Sequence, residues 1–253
     1  MSYSAEEMMS VAAARRLRDG QIVFVGIGSP SRAANLARRT HAPGCVLVYE
    51  SGTIGAKPQH LPLSIGDGEL AETADAVVSV PEIFAYWLQP GRIDIGFLGA
   101  AQIDRFGNLN STVIGDYDSP AVRLPGGGGA PEIAASCKET YVMLQQSPRT
   151  FVERLDFRST VGYGDGPGSR EALGFSGAGV TAVITDLGVL EPDPESCELT
   201  LTSVHPGVQP ETASAATGWE LRVARELEVS EAPTEGELDA LRSFRTLGEE
   251  NAS

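Results

Sequence analysis

The chain has 253 residues and a formal net charge of −15, from 34 acidic and 19 basic residues. This charge disfavours nucleic acid and anionic membranes as partners, because both attract cationic proteins. No apolar run approaches the ~20 residues that cross a bilayer, and the acidic N-terminus lacks the basic and apolar segments of a secretory signal. Three widely separated cysteines are typical of reduced thiols rather than of a metal site. We therefore predict a cytoplasmic globular protein without a metal.

The N-terminal part of the chain alternates helical and strand patterns. A capping-box pattern of Ser4 and Glu7 marks the start of the first helix. The predicted elements are helices over 5–19, 31–39 and 81–88, and strands over 21–25, 45–49, 76–80 and 93–98. A strand, a helix and a strand within about thirty residues form a βαβ unit, which implies a parallel sheet.

The remainder of the chain contains further strand patterns around a glycine-rich stretch. Predicted here are a short helix over 131–136, strands over 141–144, 180–189 and 199–204, a further strand over 151–157, and a last helix opened by Thr234 and Glu237. Residues 161–179 include seven glycines and no hydrophobic period, which predicts a long loop. We predict a single domain over 1–253, with a mostly parallel open α/β sheet flanked by helices and a frayed tail over 248–253.

The first segment with possible chemistry runs from Tyr49 to Gly55, with the sequence YESGTIG. It places Glu50 directly after a predicted buried strand, and parallel strands bind ligands beyond their carboxyl ends. The glycines at 52 and 55 allow a bulky ligand to approach the backbone. A carboxylate in this position is a candidate nucleophile toward an activated acyl group. A solvated turn residue is the alternative that the segment alone leaves open.

The second segment contains four consecutive glycines, Gly126–Gly129, just before a predicted helix. Several backbone N–H groups that point in one direction can bind a phosphate or stabilise an oxyanion. The run matches neither a Walker loop nor a dinucleotide-binding loop.

The third segment, from Phe97 to Asn110, has the sequence FLGAAQIDRFGNLN and is typical of a structural turn by pattern alone. No Ser-His-Asp arrangement and no zinc-type spacing is present in the sequence. His60 follows Glu50 closely enough to serve as an acid or base, although an exposed loop histidine is the alternative interpretation.

These three segments, in this order, resemble the β subunit of family I CoA-transferases. The family's catalytic S/Y-E-x-G-x-x-G segment matches Tyr49 through Gly55. Its F-L-G-x-x-Q-V-D-x-x-G-N-x-N segment matches Phe97 through Asn110, with Ile103 in place of valine, and its G-x-G-G-A loop matches Gly126 through Ala130. The resemblance extends from about Ser4 to at least Gly218. Within the family, the chain is similar to the longer glutaconate-transferase-like subunits, and among them to the 3-oxoadipate-specific β subunits of bacterial aromatic degradation.

The resemblance implies a role for each matching residue. Glu50 would be the nucleophile that receives CoA from succinyl-CoA and passes it to a dicarboxylic acid acceptor through a glutamyl-CoA thioester. Gly128 and Gly129 would form the oxyanion and acyl-binding loop. The segments that approach the substrate and CoA would contain Gly52, Gly55, Gln102 and Asn108.

The family further implies a homologous α subunit that completes a shared active site, and CoA thioester as a substrate rather than a permanently bound cofactor. Relatives of this fold that lack the glutamate are hydrolases or decarboxylases of CoA esters. The presence of Glu50 favours transfer. A CoA-ester hydrolase, a C–C lyase and a glutaconate-type transferase are the alternative functions.

Overall fold

A computed structural model describes residues 2–244 of the chain. The chain divides into two compact units, one formed by the residues up to Phe97 together with those from Ala232 onward, and one by Leu98–Glu231. The single domain predicted over 1–253 stays a prediction. The predicted frayed tail over 248–253 lies outside the described residues.

The first unit contains a five-stranded sheet and the helices packed with it. In chain order its elements are α1 (Ala5–Arg15), β1 (Ile22–Phe24), α2 (Ser29–Arg39), β2 (Val46–Val48), β3 (Thr53–Ile54), α3 (Gly68–Glu72), β4 (Ala76–Val77), α4 (Val80–Glu82), a π-helix (Ile83–Leu88) and β5 (Ile95–Leu98). The strand order is β5-β1-β2-β3-β4. Strand β1 pairs in parallel with β2 and β5, whereas β3 is antiparallel to β2 and β4.

The second unit contains another five-stranded sheet and two separate hairpins. Its elements are β6 (Gln102–Ile103), β7 (Leu109–Asn110), β8 (Val113–Gly115), β9 (Pro120–Arg123), α5 (Ala130–Ser136), β10 (Glu139–Leu144), α6 (Ser169–Ala172), β11 (Val180–Thr185), β12 (Gly188–Pro192), β13 (Leu199–Val204), α7 (Pro210–Ala215) and β14 (Arg222–Val229). The strand order is β14-β13-β12-β11-β10, with β6-β7 and β8-β9 as the hairpins. Strand β12 is antiparallel to both of its neighbours, and the other two pairs are parallel.

The last helix, α8 (Glu235–Arg242), belongs to the first unit. Glu237 accepts two hydrogen bonds from the guanidinium of Arg15 on α1, each 2.7 Å long. Burial alone would raise the pKa of Glu237, but the hydrogen bonds from Arg15 and Thr234 outweigh it and lower the pKa to about 2. These contacts attach the C-terminal segment to the N-terminal helix and explain why both belong to one unit.

The predicted α/β class, a mostly parallel open sheet flanked by helices, is confirmed, with β3, β4 and β12 as antiparallel additions. The capping boxes of α1 and α8 are present as predicted. The strand predicted over 151–157 is wrong, because only Phe151 forms an isolated bridge, to Ile103. The loop predicted over 161–179 contains the short helix α6.

The helix predicted over 81–88 is a short α-helix followed by a π-helix. No described helix combines the length and the apolar character needed to cross a membrane. Within residues 2–244, no group of three or more His, Cys, Asp or Glu side chains is arranged to hold a metal ion.

Candidate active site

Glu50 lies at the tip of a tight turn between β2 and β3. The N–H of Tyr49 donates to the carbonyl of Thr53, and the N–H of Gly52 donates to the carbonyl of Tyr49, both at 3.0 Å. Glu50 and Ser51 therefore occupy the two central positions of a β-turn. Because β2 is parallel to β1, this turn lies at the carboxyl end of a parallel pair, where α/β proteins bind ligands.

The backbone of this turn requires glycine at two positions. Gly52 has a φ of +109°, and a Cβ there would lie 1.9 Å from the carbonyl oxygen of Val78. Gly55 has a φ of +70°, and a Cβ there would lie 2.2 Å from Oδ2 of Asp75. Gly52 is therefore required by the backbone of Val78, whereas Gly55 is required mainly by its left-handed φ. Their predicted role beside the substrate and CoA stays a prediction.

The carboxylate of Glu50 is available for chemistry. The residue is half-buried, and no group among residues 2–244 forms a hydrogen bond or ion pair with its carboxylate. His60, the candidate acid or base, instead places Nδ1 3.1 Å from Oε2 of Glu69. A carboxylate without internal partners keeps its lone pairs free for attack on an acyl carbon.

The side chain of Tyr49 attaches the turn to helix α2. Its side chain is completely buried, and its hydroxyl lies 3.2 Å from Oγ of Ser31 and 3.3 Å from Nδ2 of Asn35. Both partners lie on α2, which begins after Gly28 and has Pro30 in its first turn. Ser31 and Asn35 are not among the functional residues predicted from the sequence. Their spacing of four residues, which places them on one face of a helix, is the signal that could have found them.

The glycine run of the second unit forms the approach to α5. The N–H of Gly126 donates to the carbonyl of Ser111 at 2.8 Å. The next three amides, those of Gly127, Gly128 and Gly129, have no hydrogen-bond acceptor within residues 2–244. Gly128 is exposed with a φ of +52°, while Gly129 is buried and caps the helix with a φ of −78°. Three amides without acceptors are an arrangement that can stabilise an oxyanion.

The side chain of Asn108 connects the hairpin β6-β7 to the glycine-rich loop. Its Oδ1 accepts hydrogen bonds from the N–H groups of Gly162 and Gly164. Its Nδ2 donates to the carbonyl of Gly164 at 2.7 Å and to both carboxylate oxygens of Asp104. Burial raises the pKa of Asp104 although these bonds oppose the rise.

Both polar atoms of the Gln102 side chain also form hydrogen bonds inside the protein. Its Nε2 donates to Asp156 at 2.8 Å, and its Oε1 accepts from Nδ2 of Asn110 at 2.7 Å. The assignment of Gln102 and Asn108 to the segment that approaches CoA stays a prediction. Their polar atoms are used by the protein itself, so the geometry supports an effect through the loops that they hold.

Known proteins resemble this chain over most of its length. The model of the coenzyme A transferase family matches residues 6–214. The chain belongs to this family. It is 62% identical over 243 residues, 96% of this chain and 94% of the relative, to the B subunit of 3-oxoadipate CoA-transferase from Pseudomonas knackmussii. The predicted membership in the CoA-transferases is thereby confirmed.

Two solved structures with this fold have different names and activities. Glutaconate coenzyme A-transferase from Acidaminococcus fermentans matches with a TM-score of 0.91 and 34% identity, covering 98% of this chain and 96% of that one. The decarboxylase AibA/AibB matches with a TM-score of 0.84 and 25% identity, covering 99% and 98%. The fold therefore supports more than one reaction, and the function must be argued from the site.

Proposed function

We propose that this protein is the β subunit of a CoA-transferase that moves CoA from succinyl-CoA to a 3-oxo dicarboxylic acid, with 3-oxoadipate as the first choice of acceptor. The observation that carries the proposal is the carboxylate of Glu50, which lies at the tip of a hydrogen-bonded turn and has no hydrogen-bond or ion-pair partner among residues 2–244. The identity of 62% to the B subunit of a 3-oxoadipate CoA-transferase supports the choice of acceptor.

The first half-reaction uses Glu50 as the nucleophile. A carboxylate oxygen attacks the thioester carbonyl of succinyl-CoA, the C–S bond breaks, and CoA leaves as a thiolate. The enzyme then holds a mixed anhydride between succinate and the glutamyl side chain. The thiolate attacks the glutamyl carbonyl of this anhydride, succinate leaves as a carboxylate, and Glu50 becomes a glutamyl-CoA thioester.

The second half-reaction reverses these steps with the acceptor. Its carboxylate attacks the glutamyl thioester and releases CoA thiolate, which then attacks the acceptor's acyl carbon and frees Glu50. No proton is transferred in either half. A general base beside Glu50 is therefore unnecessary, which agrees with the engagement of His60 by Glu69.

Each attack produces a tetrahedral intermediate with a negative oxygen. We assign its stabilisation to the N–H groups of Gly128 and Gly129, because these amides have no acceptor among the described residues. The loss of one such donor typically raises a barrier by about 3 kcal/mol.

A second subunit completes the proposed enzyme. The relative with 62% identity is named as one subunit of its transferase, the B subunit, and we propose a homologous α subunit as the partner of this chain. The isolated β chain should therefore fold but lack transfer activity. The proposed location is the cytoplasm, since all three cysteines are free thiols, as in reducing compartments.

The test uses the complex purified with its α subunit and assayed with succinyl-CoA and 3-oxoadipate. We expect Glu50→Gln and Glu50→Ala to lower transfer at least about a thousandfold, because covalent catalysis is lost. Glu72→Gln is the matched control, since Glu72 is an exposed glutamate of the same unit, on α3. Retention of more than a few per cent of transfer in the Glu50 variants would exclude Glu50 as the nucleophile.

The same preparation distinguishes transfer from the reactions that related folds perform. Borohydride or hydroxylamine should trap a glutamyl-CoA thioester on Glu50 after incubation with succinyl-CoA alone. A hydrolase would release CoA without an acceptor. A C–C lyase, the alternative suggested by the similarity to a decarboxylase, would instead break a C–C bond of the acyl group and leave the thioester intact. A panel that includes glutaconate separates a glutaconate-type acceptor from 3-oxoadipate.

A further inference from the structure

We infer that Tyr49 is a positioning residue for Glu50 and that it acts through a buried cluster with Ser31 and Asn35. This inference rests on the proposed function of Glu50 and concerns what holds the nucleophile in place.

The backbone of Tyr49 contacts both sides of the turn. Its N–H donates to the carbonyl of Thr53 and its carbonyl accepts from the N–H of Gly52, each at 3.0 Å. The bond between the carbonyl of Tyr49 and the N–H of Gly52 encloses Glu50 and Ser51. Any movement of Tyr49 is therefore transmitted directly to the backbone that carries the carboxylate of Glu50.

The side chain of Tyr49 is fixed by helix α2. Its hydroxyl lies 3.2 Å from Oγ of Ser31 and 3.3 Å from Nδ2 of Asn35. The amide of Asn35 also donates to the carbonyl of Ser31 at 2.9 Å, which fixes its own orientation. These hydrogen bonds attach the turn to a helix rather than to another loop. Helices and strands hold functional groups more accurately than loops do.

The cluster is costly in stability. Ser31, Asn35 and Tyr49 are each 1% exposed or less. Oδ1 of Asn35 and Oγ1 of Thr53 are buried without a hydrogen-bond partner among residues 2–244. A buried acceptor without a partner destabilises a protein, and apolar side chains of similar size would avoid this cost. Stability alone does not account for the cluster, whereas polar networks of this kind fix a unique geometry.

Tyr49 does not act on the substrate itself. Its side chain is completely buried, and burial raises the pKa of its phenol although Ser31 and Asn35 oppose the rise. The hydroxyl is therefore neither reachable by an acyl group nor prepared to ionise near neutral pH. Its role is to hold the turn.

The test is Tyr49→Phe in the complex with the α subunit. This change keeps the ring and removes the hydroxyl. We expect kcat to fall ~10–100-fold with KM for succinyl-CoA within about twofold, because small misplacements of a reacting group slow the chemical step. The trapping of the glutamyl-CoA thioester should slow by the same factor. A residue with only a structural role would lower the melting temperature and leave the turnover of each folded molecule unchanged.

Ser31→Ala provides a second variant in case Tyr49→Phe does not fold. Its matched control is Ser10→Ala, since Ser10 is a fully buried serine on α1 whose Oγ has one hydrogen bond among residues 2–244, to the carbonyl of Glu6 at 2.9 Å. We expect Ser31→Ala to lower kcat several-fold and Ser10→Ala to leave kcat unchanged.

The inference is overturned if Tyr49→Phe, or Ser31→Ala where Tyr49→Phe does not fold, has a kcat within twofold of wild type, or if Ser10→Ala lowers kcat equally. Glu50→Gln separates this result from a failure of the proposed function. If Glu50→Gln abolishes transfer while Tyr49→Phe does not affect it, only the positioning role is lost.

Discussion

The Glu50 turn and the Gly126–Gly129 loop both depend on glycine, but for opposite reasons. In the turn, the space for a side chain at Gly52 is already occupied by the backbone of Val78. In the loop, a Cβ at Gly128 would meet no atom within 4 Å, although its φ of +52° disfavours a side chain. Packing therefore leaves no room for a side chain at Gly52, whereas there is room for one at Gly128.

The different surroundings of Gly52 and Gly128 match two different requirements of the proposed acyl transfer. A nucleophile must be held in one position, because misplacement slows the reaction. Amides that bind an oxyanion must instead stay uncovered, because the reacting oxygen has to reach them. Substitutions of individual glycines can therefore test whether the turn serves mainly rigidity and the loop mainly access.

The largest effect is expected for Gly52→Ala. The new Cβ would lie 1.9 Å from the carbonyl oxygen of Val78, and Val78 is itself fixed by a hydrogen bond from its N–H to the carbonyl of Gly52. The free energy of unfolding should fall on the order of 4 kcal/mol, with transfer activity lost as well. Urea denaturation of the purified chain measures the change.

Gly55→Ala is the control for this prediction. Its obstacle is the end of the exposed side chain of Asp75, at 2.2 Å, which can rotate away. The remaining cost is that of a left-handed residue, roughly 1–2 kcal/mol. Equal losses for Gly52→Ala and Gly55→Ala would contradict the conclusion that backbone packing closes the turn.

Gly129→Ala should affect the reaction and not the fold. Its φ of −78° and ψ of −6° are open to alanine, so the free energy of unfolding should change by about 1 kcal/mol or less. A methyl group beside the oxyanion should raise the barrier by roughly 2–4 kcal/mol, a ~30–1000-fold loss of kcat. Melting temperature and turnover are measured on the same protein. A variant that melts normally and transfers CoA at the wild-type rate would show that the loop is only a turn.

A modest loss of stability, similar to that at Gly55, is expected for Gly128. In an unstrained turn, alanine would stabilise the protein by about 0.4–1 kcal/mol through the unfolded state. The left-handed φ of Gly128 reverses that sign and gives a loss of roughly 1–2 kcal/mol for Gly128→Ala. Gly128→Asn should lose less, because asparagine tolerates this conformation. Thermal unfolding of both variants decides the point, and a more stable alanine variant would argue against a fixed loop.

Local sequence patterns were enough to predict the fold class, the order of most elements and the position of Glu50 at the end of a strand. Period and capping patterns are local, so the buried strand 45–49 and the capping boxes of α1 and α8 could be recognised from neighbouring residues alone. The three ordered segments were sufficient to indicate the family. Local patterns missed β14, and they predicted the helix over 81–88 without its π form, because tertiary context overrides local preference.

The contacts of the glycines and of the buried polar side chains could be seen only in the folded protein. Gly52 and Gly128 are both glycines with a positive φ, but only Gly52 has no room for a side chain. The obstacle is Val78, which is 26 residues distant from Gly52 along the chain. The role of Asn108 beside CoA stays a prediction, and its Oδ1 accepts hydrogen bonds from Gly162 and Gly164, which lie more than fifty residues away along the chain. The Ser31–Asn35–Tyr49 cluster likewise joins a helix to a strand end. Contacts between distant residues depend on how the elements pack, and no local pattern records that packing.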